Sequence, residues 1–88
     1  MRIDLFLKKT RIVKTRTKSK NLCEKGMVLV NGLRSKPGKG VKVQDKIRID
    51  FGGRILEIVI LEIPKRNVQK KDGPSYYRIL KDQKVDIL

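Results

Sequence analysis

Apolar residues in this chain recur first at helical spacing and then at strand spacing. Ile3, Phe6, Leu7 and Thr10 fall at i, i+3, i+4 and i+7, one stripe of a short amphipathic helix over Arg2 to Thr10. Leu5 lies opposite that stripe and is expected to be exposed, while Arg2 and Lys9 share one shoulder of it. Thr15 is placed to cap a second helix from about Arg16 to Lys25, which Gly26 ends in a left-handed conformation. Ser19, Leu22 and Cys23 make its inward face. Arg16 and Lys20 line one edge of that face, and Lys18 and Lys25 lie towards the other.

From Met27 the period shortens to two. Met27-Val28-Leu29-Val30 runs into Asn31-Gly32, a pair that tolerates the positive φ angles of a tight hairpin turn. Lys36-Pro37-Gly38-Lys39-Gly40 is a loop by composition. Val41, Val43, Ile47, Ile49 and Phe51 alternate with polar residues around a turn at Gln44-Asp45. Gly52-Gly53 reverses the chain into an apolar strand, Arg54 to Ile63, that Pro64 stops. The pattern predicts an α+β fold over residues 1–63, two N-terminal helices packed on a small antiparallel sheet of four or five strands. Residues 64–88 read as a basic linker and C-terminal tail, charged and turn-rich from Lys65 to Pro74. Tyr76-Tyr77-Arg78-Ile79-Leu80 is the one apolar patch there. The pattern leaves open whether it docks back as a strand or as a helical turn.

Charge then narrows the function. The 88 residues hold 23 Lys and Arg against nine Asp and Glu, a formal net charge of +14. Self-repulsion on that scale disfavours a compact monomer, and solubility needs far less charge of one sign, so a polyanionic partner is expected. Residues 1–26 alone carry +7. Within them Lys8, Lys9, Arg11, Lys14, Arg16, Lys18 and Lys20 crowd around the junction of the two helices, where each phosphate contact would release counterions. Arginines carry more weight than lysines, because a planar fork binds phosphate bidentately and stacks on bases. Phe6 and Phe51 fit core positions, so the sequence has no base-stacking platform and points to folded RNA read by shape and phosphate geometry. A DNA reader needs Asn, Gln or Arg aimed at base edges from a recognition helix, and the second helix offers mostly lysines.

Other classes are disfavoured. There is no histidine, Cys23 is the single cysteine, and the carboxylates are scattered among lysines. No disulfide, metal site, cofactor or catalytic constellation is expected, and Gly52-Gly53 lacks the strand-loop-helix setting of a phosphate loop. The opening Met1-Arg2-Ile3-Asp4 has no apolar leader character, and Ile58-Val59-Ile60-Leu61 is too short to span a bilayer. The expectation is a cytoplasmic, monomeric protein with no membrane partner and no enzymatic activity.

Several motifs then fall in a recognisable order. Arg2-Ile3-Asp4-Leu5-Phe6-Leu7 resembles the opening R-L-D-x-F-L of the S4 RNA-binding domain. Thr15-Arg16-Thr17 through Cys23-Glu24-Lys25-Gly26 is similar to its second helix and terminating glycine. Met27 to Gly32 is similar to its V-x-V-N-G hairpin, followed by K-P at Lys36-Pro37 and V-x-x-G-D-x-I at Val41 to Ile47. Gln44 departs from the pattern, standing where the family has glycine before Asp45. The resemblance covers about residues 1–63 and implies the S4-like (alpha-L) fold. It also implies RNA contacts at Arg2, Arg11, Arg16 and neighbouring lysines of the helices, with Asn31 and Gly32 serving the turn.

Among single-domain S4 proteins the chain resembles those of bacterial ribosome-associated quality control, with the heat-shock type as a longer relative. The resemblance implies binding to rRNA, and to tRNA, on free large ribosomal subunits that hold peptidyl-tRNA. It further implies support of C-terminal tailing of stalled chains, with a tailing factor as a protein partner. The alternatives are a heat-shock-type ribosome recycling factor or a structural ribosomal component.

Overall fold

The computed structural model describes residues 1–85. Two helices, α1 (Ile3–Lys9) and α2 (Arg16–Glu24), precede strands β1 (Val28–Val30), β2 (Leu33–Arg34), β3 (Lys46–Asp50), β4 (Arg54–Ile60) and β5 (Tyr77–Lys84). A 3-10 turn at Gly73–Tyr76 leads into β5. The five strands form one antiparallel sheet in the order β2-β1-β3-β4-β5. The α+β class is the one that the hydrophobic pattern predicts, but the fifth strand comes from the segment read as a tail, so the sheet extends beyond residues 1–63.

The core lies between the helices and the sheet. Ile3, Phe6 and Leu7 of α1 are fully buried in one cluster with Cys23, Val28, Ile47, Ile49, Ile58 and Ile60. Burying a side chain of this size contributes roughly 1.5–3 kcal/mol, so these few positions dominate the stability of so small a domain. α2 begins where Thr15 Oγ1 accepts a 3.1 Å hydrogen bond from the Lys18 amide. It ends at Glu24, and Gly26, with a φ of +76°, permits the turn into β1.

Polar turns set the sheet register. Asn31 and Gly32 both adopt positive φ between β1 and β2. The Asn31 side chain donates to Asp45 Oδ1 at 3.0 Å and accepts from the Lys46 amide at 2.9 Å, while Asp45 Oδ2 accepts from the Lys42 amide at 2.9 Å. These two side chains therefore tie the hairpin turn to the turn before β3. Gln44, in the position the S4 pattern gives to glycine, has a φ of +78°, so the turn keeps its left-handed form with a side chain present.

Three local expectations are revised, and one left open is resolved. Val43 is exposed and outside any strand, because the amides of Lys42 and Asp45 are used by the turn itself rather than by a ladder. β4 stops at Ile60 rather than Ile63, since the amides of Leu61 and Glu62 turn to the Tyr76 carbonyl at 2.9 and 3.2 Å. Leu5 is half-buried rather than exposed. The Tyr76–Leu80 patch forms both of the structures left open: the 3-10 turn ends at Tyr76, and Tyr77 opens a strand of eight residues paired with β4. The remainder of the C-terminal tail, residues 86–88, lies outside the described residues.

Candidate nucleic-acid interface

α1 and α2 meet at a small residue. Ser19 is fully buried, and its hydroxyl donates a 2.7 Å hydrogen bond to the Asp4 carbonyl in the first turn of α1. That contact brings the start of α2 beside the start of α1. Arg2 reaches the Asp4 carboxylate with a two-pronged fork, Nε to Oδ1 at 3.1 Å and Nη2 to Oδ2 at 3.0 Å. Arg16 approaches the same carboxylate from α2, with Nε 3.8 Å from Oδ2.

Exposure decides the role of this cluster. The Asp4 side chain is 1 % exposed, whereas Arg2 and Arg16 keep 49 % and 54 % of their side-chain surface. One buried carboxylate therefore orients the Arg2 guanidinium by hydrogen bonds and attracts that of Arg16, and it offsets only half of their combined charge. Lys20 and Thr17 complete the same cleft. Both side chains keep guanidinium N–H groups that Asp4 does not use, in the planar geometry that fits phosphate oxygens.

The other basic residues singled out from the sequence do not join this cleft. Lys14 and Lys18 flank a shallow depression floored by Ile12, Leu22 and Phe51, with Lys25 on its rim. Lys8 and Lys9 occupy the last turn of α1. Arg11 follows in a left-handed conformation, φ +65°, and its guanidinium donates to the Val68 carbonyl at 3.4 Å.

A further basic set is not singled out by the sequence pattern. The Lys36–Gly40 loop is bonded to the start of α1 through Ile3 N to Lys39 O at 2.8 Å and Asp4 N to Pro37 O at 3.2 Å. Gly38 lies under the Arg2 guanidinium. Arg34, Lys36, Lys39 and Lys42 line a groove beside it. Their signal was present as the Lys-Pro-Gly-Lys-Gly run, but the modest charge of residues 27–63 concealed that the loop folds against Arg2.

Cys23 is buried, and that burial, with the carboxylates of Asp4 and Glu24 adding to it, pushes its thiol up to about 11. Among the described residues no group of three His, Cys, Asp or Glu side chains comes together to hold a metal ion. No helix among them is long and apolar enough to cross a membrane.

Comparison with known proteins adds to the geometry. The S4 domain family model matches residues 1–47, which include both helices and the hairpin. The chain is 37% identical over 86 residues to the "RQC P-site tRNA stabilizing factor" of Streptococcus pneumoniae, covering 98% of this chain and 97% of that one. It is 40% identical over 86 residues to the protein of the same name from Listeria innocua, covering 98% and 92%. Among solved structures, a trimeric Heat Shock Protein 15 from Vibrio cholerae superimposes with a TM-score of 0.83 at 32% identity, covering 90% of this chain and 80% of that one. With both helices, the hairpin and the Asp4-centred arginine pair inside the matched residues, the chain belongs to the S4 domain family.

Proposed function

We propose that this chain is a non-enzymatic, cytoplasmic RNA-binding protein that acts as a monomer on the free large ribosomal subunit carrying peptidyl-tRNA. There it contacts rRNA and tRNA and supports quality control of stalled nascent chains, including their C-terminal tailing. The observation that carries this reading is the pair of half-exposed arginines, Arg2 and Arg16, held by one buried carboxylate, Asp4. A fork held as that of Arg2 is loses little side-chain entropy on meeting phosphate, which favours a partner of fixed shape over a diffuse polyanion. The relatives' name, RQC P-site tRNA stabilizing factor, supports a tRNA on the ribosome as that partner. The scarcity of aromatic residues supports reading by phosphate geometry rather than by base stacking.

Sedimentation and affinity purification of the tagged protein test this. The expected result is co-purification of large subunits with peptidyl-tRNA and few small subunits. A deletion strain should lose C-terminal tails on stalled chains, and Arg2→Ala with Arg16→Ala should fail to restore them. Equimolar recovery of both subunits, or mature ribosomes without tRNA, would move the assignment to a structural component.

The likeness to Heat Shock Protein 15 favours one second reading, a heat-shock-type recycling factor. Unchanged tailing in the deletion strain, together with a growth defect confined to heat stress, would select it.

A further inference from the structure

The Gln69–Asp72 turn is fastened at both ends to the junction between α1 and α2. At one end the Arg11 guanidinium donates to the carbonyl of Val68, whose own side chain is buried. At the other, Gly73 packs so closely on the Thr10 carbonyl that an added Cβ would overlap its oxygen. Between these anchors the Asp72 amide donates to the Gln69 carbonyl at 2.9 Å, which places Lys70 and Lys71 at the two corner positions of a tight turn. Both are exposed.

Two stretches far apart in the chain therefore meet. Lys8 and Lys9, in the last turn of α1, precede Thr10 and Arg11, the residues on which the turn is anchored. None of Lys8, Lys9, Arg11, Lys70 and Lys71 forms an ion pair among the described residues. The partner of Arg11 is a neutral carbonyl, which orients the guanidinium without cancelling its charge. Asp72 closes the turn, and it is the one acidic residue in the segment from Lys65 to Pro74. None of the large exposed apolar side chains belongs to this region, so it lacks the anchor that an acidic protein partner would use.

We propose that these five side chains form a second phosphate-binding face, supplied in part by the C-terminal segment and positioned by the contact of Gly73 with Thr10. The face lies at the opposite end of α1 from the Arg2–Asp4–Arg16 cleft, roughly 10 Å away by the rise of a helix of seven residues. Its ligand is a phosphodiester stretch of RNA. This inference rests on the RNA-binding reading above, and it makes residues 68–73 part of the interface rather than a spacer.

The test uses the full chain and purified large ribosomal subunits across a potassium chloride series. Lys70→Ala with Lys71→Ala should weaken binding about tenfold and lower the log–log salt slope by roughly one to two. Lys70→Arg with Lys71→Arg should keep both values. Gly73→Ala, with native circular dichroism, should fall between. Should Gly73→Ala not fold, the exposed lysine pair decides the question alone. Wild-type affinity and slope in the double alanine variant, with Arg16→Ala still weak, would overturn the second face and leave the first cleft standing. Weakened binding at an unchanged slope would also overturn it, by removing phosphate as the ligand. Intact binding by Arg16→Ala would count against the cleft itself, so the two failures are distinguishable.

Discussion

The Ser19 hydroxyl donates a 2.7 Å hydrogen bond to the Asp4 main-chain carbonyl, and that one contact registers the helix carrying Arg16 against the turn carrying Arg2. Both residues are wholly buried, so the approach tolerates neither a larger side chain nor a slip of one helix along the other.

Ser19→Ala should destabilise the fold by about 1 kcal/mol, the ordinary net value of a buried hydrogen bond. Ser19→Val should cost roughly 1–3 kcal/mol more through overpacking. Urea denaturation midpoints measure the first effect. Affinity for large subunits should fall in both variants, because Arg16 loses its alignment with Arg2.

Asp4→Asn separates orientation from charge. The variant is more positive overall, so a purely charge-counting interface would bind RNA more tightly. The amide replaces one of the two oxygens that accept the Arg2 fork with a donor, and it removes the counter-charge of Arg16. Weaker binding is therefore expected, with a stability loss of roughly 1–3 kcal/mol from the charge-assisted bonds. Tighter binding at one fixed salt concentration would rule out the orienting role.

Gln44 sits at a φ of +78°, where a side chain is strained and glycine is not. Gln44→Gly should raise stability by about 1 kcal/mol, less the extra freedom of glycine in the unfolded chain. A thermal melt checks this, and a lowered Tm would mean that the Gln44 side chain does something the turn geometry does not reveal.

Cys23 offers a probe of opening. Its thiol is pushed up to about 11 from an ordinary 9.0, chiefly by burial. The folded state therefore holds the proton that the unfolded chain releases first. The associated stability is complete below pH 9.0 and is lost as pH rises through about 11. At pH 8 iodoacetamide should label the unfolded protein roughly two orders of magnitude faster than the folded one, given the difference in thiolate fraction. Rapid labelling of the native protein would contradict the packing of α2.

The pinning of β5 should depend on pH in the opposite direction. Arg54 donates to both Asp82 oxygens at 2.7 and 2.8 Å, and this bond holds the Asp82 carboxyl below its ordinary 3.8. The pair contributes fully above that ordinary value, and its contribution is lost as pH falls through the lowered one. Amide exchange at residues 82–84 should accelerate under strong acid relative to β3, after correction for intrinsic rates. Arg54→Ala should show the faster exchange already at neutral pH and lose its acid dependence.

Much of the fold was legible because local physics dictates it. The helical stripe of Ile3, Phe6 and Leu7, the Thr15 cap, the Gly26 terminus and the Asn31-Gly32 turn each depend on residues within a few positions of one another. Strand ends were less legible. The end of β4 is decided by the Tyr76 carbonyl, and no local pattern announces a partner that distant in the chain.

The sequence by itself determined the two helices, the hairpin, most inward faces and the excess of positive charge over the two helices. It could not say which of those charges act together, because a helical wheel places side chains on one helix and is silent about its neighbour. Only the tertiary structure decided that Arg2 and Arg16 share Asp4 while Lys14 and Lys18 face elsewhere. It alone also brought the Lys36–Gly40 loop against α1 and seated Gly73 on Thr10. The physical reason is common to all three. Each depends on a buried polar group finding its partner, or on two backbones approaching closely, and those requirements are met only once the helices and the sheet have packed.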